Sequence, residues 1–165
     1  MKLFRPIVKE VIALAVAPKI YVDADACPVK SEVLKISDRA GVLAIFVANS
    51  GLRPSRDPLV RNVIVPQGAD AADNWIVDQV TDTDIVITAD IPLAHRAVGK
   101  GAIVLGPTGR PFTADSIGMA LAMRDLKQDL RESGAIVGYN PGFTSKDRLR
   151  FTDALAQAVQ RTLRK

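Results

Sequence analysis

Short apolar runs alternate along this chain with stretches in which apolar residues recur every three or four positions, the order expected of repeated strand–helix units. Lys19 to Asp23 is the first predicted strand. Pro28 suits the first turn of a helix, and Val29, Val33, Leu34, Ile36 and Ala40 follow at helical spacing until Gly41 stops it. Val42 to Val47 is almost wholly apolar and predicts a central strand. Asn49 to Pro58, rich in Ser, Pro and Arg, predicts a loop. Asn62 to Val65 is a third strand, followed by a helix over Asp70 to Val80 with Ile76, Val77 and Val80 inward. Asp84 to Thr88 is the fourth strand, Ile91 to Lys100 a short helix, Ala102 to Leu105 the fifth strand and GPTGRP a turn. Two more helices are predicted, Thr113 to Ser133 with Ile117, Leu121, Leu126 and Leu130 inward, and Ser145 to Arg164 with Leu149, Leu155, Val159 and Leu163 inward. GAIVGYNPGF between them reads as irregular. The fold class this implies is α/β: a single domain with a mainly parallel sheet of about five strands and helices on both faces.

The 165 residues, 48% hydrophobic and 24% charged, fit one soluble domain with a substantial core. One cysteine excludes an internal disulfide framework and fits the cytosol. No segment approaches the roughly 20 apolar residues needed to span a membrane. The opening MKLFRPIVKEVIALAVAPK imitates a secretory signal, but Glu10 precedes a short apolar run, and residues 1–18 read as an extension to a domain over 19–165. The net charge of +4 gains meaning only where basic residues cluster. Arg53, Arg56 and Arg61 share one region, and Lys146, Arg148, Arg150, Arg161, Arg164 and Lys165 crowd the end, where a solvated helix face explains them at least as well as nucleic-acid contact.

Five acidic residues carry the chemistry: Asp23 and Asp25 in IYVDADACPV, Asp70 and Asp73 in QGADAADNWI, and Asp90 in DIVITADIPLA. Each pair or single residue stands where a strand should end or a helix begin. In open α/β sheets ligands bind beyond the carboxyl ends of the strands, so these segments are expected to converge at one rim. Gathered carboxylates repel one another and call for a proton or a cation. Mg2+ and Mn2+ take oxygen ligands, and with one cysteine and one histidine no softer donor set competes. The expected metal ligands are Asp23, Asp70, Asp73 and Asp90, with Asp25 the fifth catalytic candidate. Attack of metal-activated water on a phosphodiester is the reaction such a site supports. Asn49, Ser50, Arg53, Arg56 and Asn74 are the candidate substrate contacts, the arginines as phosphate clamps.

Each aspartate also has a plain structural explanation. Asp25, Asp70 and Asp90 all stand where helix caps are common, and Asp78, Asp82 and Asp84 read as surface or turn residues. Caps explain any one of them but not their recurrence at one end of successive strands. Cys27 lies before a helix N-terminus, where a thiolate is favoured, but no second cysteine accompanies it and a core role is favoured. His95 reads as an ordinary surface residue and Trp75 as core.

At YVDADACPVKSEV, FVANSGLRPSR, VPQGADAADNWIV, DIVITADIPLA, MRDLKQDLRESGA and DRLRF the chain resembles the bacterial YaiI/YqxD family, assigned to the PIN-like superfamily. The match runs from about Ile20 to Leu163. It implies a PIN-like three-layer sandwich and a metal-dependent nuclease, with Asp23, Asp25, Asp70, Asp73 and Asp90 at the family's acidic positions. One departure falls in a turn: the family tends to read NPRG where this chain reads GPTGR, with Arg110 the candidate replacement.

Three functions compete. The first is a Mg2+- or Mn2+-dependent nuclease, with RNA favoured over DNA as substrate. A haloacid-dehalogenase-type phosphatase using Asp23 as nucleophile is the rival enzyme, but it expects its lysine before the last acidic motif, and Lys100 follows Asp90. The third is a nucleic-acid or nucleotide binding module without turnover. No protein partner is implied.

Overall fold

The computed structural model describes residues 17–68, 70–132 and 142–165. Its elements are β1 (Lys19–Asp23), a 3-10 turn (Ala24–Ala26), α1 (Lys30–Ala40), β2 (Leu43–Ala48), β3 (Val60–Ile64), α2 (Ala71–Gln79), β4 (Ile85–Ile87), α3 (Ile91–Gly99), β5 (Ile103–Leu105), β6 (Pro111–Phe112), α4 (Ala114–Glu132) and α5 (Ser145–Leu163). The extension and most of GAIVGYNPGF lie outside the described residues.

The strands form one sheet in the order β3-β2-β1-β4-β5-β6. β1 to β5 are parallel and β6 runs antiparallel to β5. Alternation along each strand divides the core into two layers. Ile20, Val22, Phe46, Ile85 and Ile87 pack with Val33 and Ile36 of α1 and with Phe151, Leu155 and Val159 of α5. Tyr21, Ile45, Val47, Val86 and Val104 pack on the opposite face with Ile76 and Val77 of α2 and with Leu93, Ala94 and Ala97 of α3. Burial on both faces is why the strands read as nearly continuous apolar runs. The architecture is a three-layer α/β domain, as the sequence implied.

Local chemistry ends the helices where expected. Gly41 closes α1 at φ 67°, a left-handed conformation that glycine adopts without a Cβ clash. Thr144 and Asp147 form a reciprocal capping box at the start of α5. One turn further on, the Arg148 guanidinium reaches α1, donating to the Pro28 carbonyl at 2.9 Å and to Glu32 at 3.1 Å. This member of the basic tail is therefore a tie between helices.

Among the described residues the sheet has six strands, β6 being added at its edge, two residues after a glycine turn and too short to show a period. Three expectations need correction. On α4, Ile117 is buried but Leu126 is 50% exposed, since among the described residues α4 packs mainly on α3. On α5, Leu155 and Val159 are buried, whereas Leu149 and Leu163 are exposed and Phe151 is the anchor. Asp84 is buried, its carboxylate accepting from the amides of Lys19 at 3.0 Å and Thr81 at 2.9 Å and from the Thr81 hydroxyl at 3.0 Å. It ties the start of β1 to the start of β4.

The turn before β6 presses on α5. Gly109 sits at φ +86°, and a Cβ there would come within 2.6 Å of the Arg150 carbonyl oxygen. Gly109→Ala is expected to lower stability by about 1–3 kcal/mol. Gly118 of α4 faces open space, and Gly118→Ala is expected to raise stability by about 0.5–1 kcal/mol. Urea unfolding of both variants checks the pair, and equal effects would contradict this packing.

Candidate active site

The parallel order reverses direction at β1: β2 and β3 are added on one side, β4 and β5 on the other. Such a switch point leaves a crevice beyond the carboxyl ends of the two central strands. The last paired residues are Val22 and Ile87, so Asp23 and Thr88 stand opposite each other one step further on. Tyr21 and Val86 face α2 and α3, and Asp23 and Thr88, two residues later, share that face by alternation.

A hydroxyl joins the two strand ends. Thr88 Oγ1 donates to Asp23 Oδ2 at 3.1 Å and accepts from the Asp90 amide at 3.0 Å, while Thr88 itself is buried. Asp90 caps α3, with Oδ1 accepting from the Leu93 amide at 2.9 Å. Its capping role is thus real and does not remove it from the crevice. Asp70 and Asp73 enter from the first turn of α2, and Asp70 makes no side-chain cap bond. Asp25 lies in the 3-10 turn after β1, where its Oδ1 accepts from the Asn49 amide at 3.4 Å, and it does not cap α1.

The electrostatics show that these groups share one region. Asp73 is pushed up to about 6, first by burial and then by the charges of Asp90, Asp23 and Asp70, with Arg96 opposing. Asp23 is also raised, first by burial, with the Thr88 hydrogen bond opposing and Asp25 and Asp90 adding to the rise. Asp25 and Asp90 thus act on Asp23, and Asp90, Asp23 and Asp70 act on Asp73. Proximity stops short of a closed cage, however: among the described residues no three His, Cys, Asp or Glu side chains stand close enough to hold a metal ion between them.

The candidate substrate contacts are dispersed. Asn49 meets Asp25 through its amide, and its side-chain oxygen is buried without a donor. Ser50, Arg53 and Arg56 lie exposed in the β2–β3 loop, where the Arg53 carbonyl is bonded by Asn62. That loop leaves the same rim, on the β2 side of the crevice. Asn74 points to α3, its Oδ1 accepting from Arg96 at 2.8 Å. Burial pushes the Cys27 thiol up, with a hydrogen bond from the Val29 backbone opposing and Asp23 and Glu32 adding, so a thiolate is not favoured. His95 is exposed on α3.

Two residues of the site escaped the sequence. Thr88 was placed only as the end of a strand, although its position two residues before Asp90 is the spacing that lets one hydroxyl meet both aspartates. Arg96 gave no local signal, because its approach to Asn74 and Asp73 depends on how α2 and α3 pack.

Fold and crevice together define a three-layer α/β domain with an acidic cleft at the switch point of its sheet. The chain belongs to the family described as Uncharacterized BCR, YaiI/YqxD, which it matches over residues 21–161. It is 62% identical over 148 residues to a UPF0178 protein of Mesorhizobium japonicum, covering 90% of this chain and 96% of that one. A UPF0178 protein of Rhizobium meliloti is 61% identical over 145 residues, covering 88% of this chain and 99% of that one. No solved structure matches the chain. No helix among the described residues is long and apolar enough to cross a membrane.

The folded chain holds the Asp73 proton more tightly than the unfolded chain does, so folding takes up protons between about pH 4 and pH 6. Stability contributed by this group is greatest at low pH and is lost as pH rises through that window. With solvent screening this amounts to about 1 kcal/mol. Asp73→Asn is therefore expected to raise Tm at pH 7.5 by roughly 2–4 °C without divalent ions and to flatten the profile between about pH 4 and pH 6. Calorimetry across that range checks it. Thr88→Val is expected to strand the Asp90 amide and raise Asp23 further, destabilising the fold by about 1–3 kcal/mol. Thr88→Ser should restore most of the loss, as read by denaturant unfolding.

Proposed function

We propose that this chain is a nuclease that hydrolyses phosphodiester bonds with Mg2+ or Mn2+, acting on RNA in preference to DNA. The observation that carries the reading is the gathering of Asp23, Asp25, Asp70, Asp73 and Asp90 around one crevice, where burial first and then the charges of Asp90, Asp23 and Asp70 raise Asp73 to about 6, and Asp25 and Asp90 add to the rise of Asp23. Uncompensated negative charge of this kind favours a cation. Membership of a family that resembles PIN-like nucleases supports the substrate class and the preference for RNA.

The donor chemistry fits a hard divalent ion, being all oxygen. No cage closes around an ion among the described residues, so an ion held here would keep much of its water, as Mg2+ commonly does when bound by one or two carboxylates plus substrate phosphate. One or two of Asp23, Asp70, Asp73 and Asp90 would hold it directly and the others through its water, and when bound it would supply an activated water and stabilise charge on the phosphate oxygens. Thr88 fixes Asp23 Oδ2, leaving the other oxygen of that carboxylate without a protein donor among the described residues. The α3 cap likewise fixes Asp90 Oδ1 and leaves Oδ2 for the crevice. Arg96 holds Asn74 and reduces the charge around Asp73. The N-termini of α2 and α3 both open on the crevice and favour anionic groups there.

The phosphatase alternative loses its lysine. Lys100 caps the C-terminal end of α3, about 15 Å along the helix axis from Asp90. A binding module without turnover differs from the nuclease only in activity, so an activity assay separates them.

Labelled RNA, single-stranded DNA and p-nitrophenyl phosphate are to be incubated with the chain in Mn2+, in Mg2+ and in EDTA. RNA cleavage is expected with either metal, absent in EDTA and reduced at least 100-fold by Asp90→Asn. Release of nitrophenol that depends on Asp23 would instead indicate the phosphatase, and salt-sensitive RNA retention without cleavage would leave a binding module.

A further inference from the structure

We infer that the groove between α4 and the turns flanking α3 and β6 receives a single strand of nucleic acid and leads it to the aspartates, with Arg110 and Arg124 on its phosphates. This rests on the nuclease reading and names the form of its substrate. The groove contains a cavity of about 820 Å³ whose lining includes Ile91, Arg110, Met119, Met123 and Arg124. A second opening of about 290 Å³ continues it along Arg110, Phe112 and Ile91. A third, of about 310 Å³, is lined by Ala89, Asp90, Ile91 and Arg124. Arg124 and Ile91 therefore border both the large cavity and the space beside Asp90, which makes the path continuous with the crevice.

Charge explains why this path suits a polyanion. A strand approaching the aspartates is repelled by them, and guanidinium groups along its route offset that repulsion and grip phosphate through paired N–H donors. Arg110 and Arg124 are exposed, and among the described residues the one ion pair is Arg148 with Glu32, so both guanidiniums are free to bind phosphate. Ser116 and Gln128 add polar groups to the large cavity, and Ile91, Met119, Ala120 and Met123 form the apolar part of its lining. Met119 is 72% exposed and Met123 48% exposed, one helical turn apart on α4. Unstacked bases offer apolar faces to such a strip, whereas a duplex presents phosphates outward and keeps its bases stacked inside. Cations interleaved with an apolar floor thus select a single strand.

The test uses the full chain carrying Asp90→Asn, so that the strand survives, with a fluorescein-labelled single-stranded RNA and its duplex read by anisotropy in Mg2+. Arg110→Ala with Arg124→Ala is compared with Arg161→Ala plus Arg164→Ala. The latter pair removes equal charge at the end of α5, beside the Lys165 contact to the Asp82 carbonyl at the opposite rim. Expected results are at least 10-fold weaker single-strand binding for the groove pair and less than 2-fold for the control pair. The salt slope should be shallower by about 1.4, at about 0.7 per phosphate contact. Arg110→Lys with Arg124→Lys should recover part of the affinity, and the duplex should bind at least 10-fold more weakly than the single strand. Equal effects of the two alanine pairs, or duplex binding as tight as single-strand binding, would overturn the assignment.

Cleavage by the otherwise unaltered chain separates the two ideas. Metal-dependent cleavage that Asp90→Asn abolishes, with binding indifferent to the groove arginines, removes the groove and keeps the nuclease. Arginine-dependent single-strand binding without cleavage in either metal keeps the groove and removes the nuclease.

Discussion

The pairing of β1 with β4 is the constraint on which the crevice depends, and polar bonds pin it at both ends. Asp84 ties the first residue of β1 to the start of β4, and Thr88 ties Asp23 to the end of β4. Between them lies a parallel ladder of only three paired residues, Ile20 with Ile85 to Val22 with Ile87. A slip of one residue would turn Asp23 or Thr88 toward α1 and α5 and dissolve the site. Two apolar layers set that register and the two pins hold it.

Burying carboxylates and gathering them opposes folding, as the upward shifts of Asp23 and Asp73, caused first by burial and then by their acidic neighbours, record. The burial of Ile20, Val22, Phe46, Ile76, Leu93 and Leu155 on the two faces of the sheet offsets that repulsion. A site held apart from its own preferences in this way is one that a cation or a protonation event can relax. The Thr88 hydroxyl and the α3 cap keep the geometry while the charge is unbalanced.

Charge is distributed with direction, although the net value of +4 is modest. Acidic groups collect at the carboxyl rim between β1 and β4, while Arg110 and Arg124 border the groove that opens beside Asp90. Arg148 of the crowded basic tail serves instead as a bond between α5 and α1. A cation can therefore tie helices together or border an open groove, according to where the helices bring it.

Read along the chain, the strands and helices were legible because burial on both faces leaves apolar runs and helices leave a repeat of three to four, and five aspartates at segment ends marked the rim. The features that eluded it are those without a local period: the short strand β6, the exposure of Leu126 and Leu149, and the burial of Asp84. Thr88 as the link between Asp23 and Asp90, Arg96 beside Asn74, and Arg124 next to Asp90 belong to the same group. The amino-acid order by itself determined the element types, the family and which acids stand at segment ends, since these follow from neighbours a few positions apart. Which of them meet, which caps form and where cations face them was decided only by the tertiary structure, because those contacts join residues far apart in the chain, 65 positions for Asp23 and Thr88 and 116 for Glu32 and Arg148.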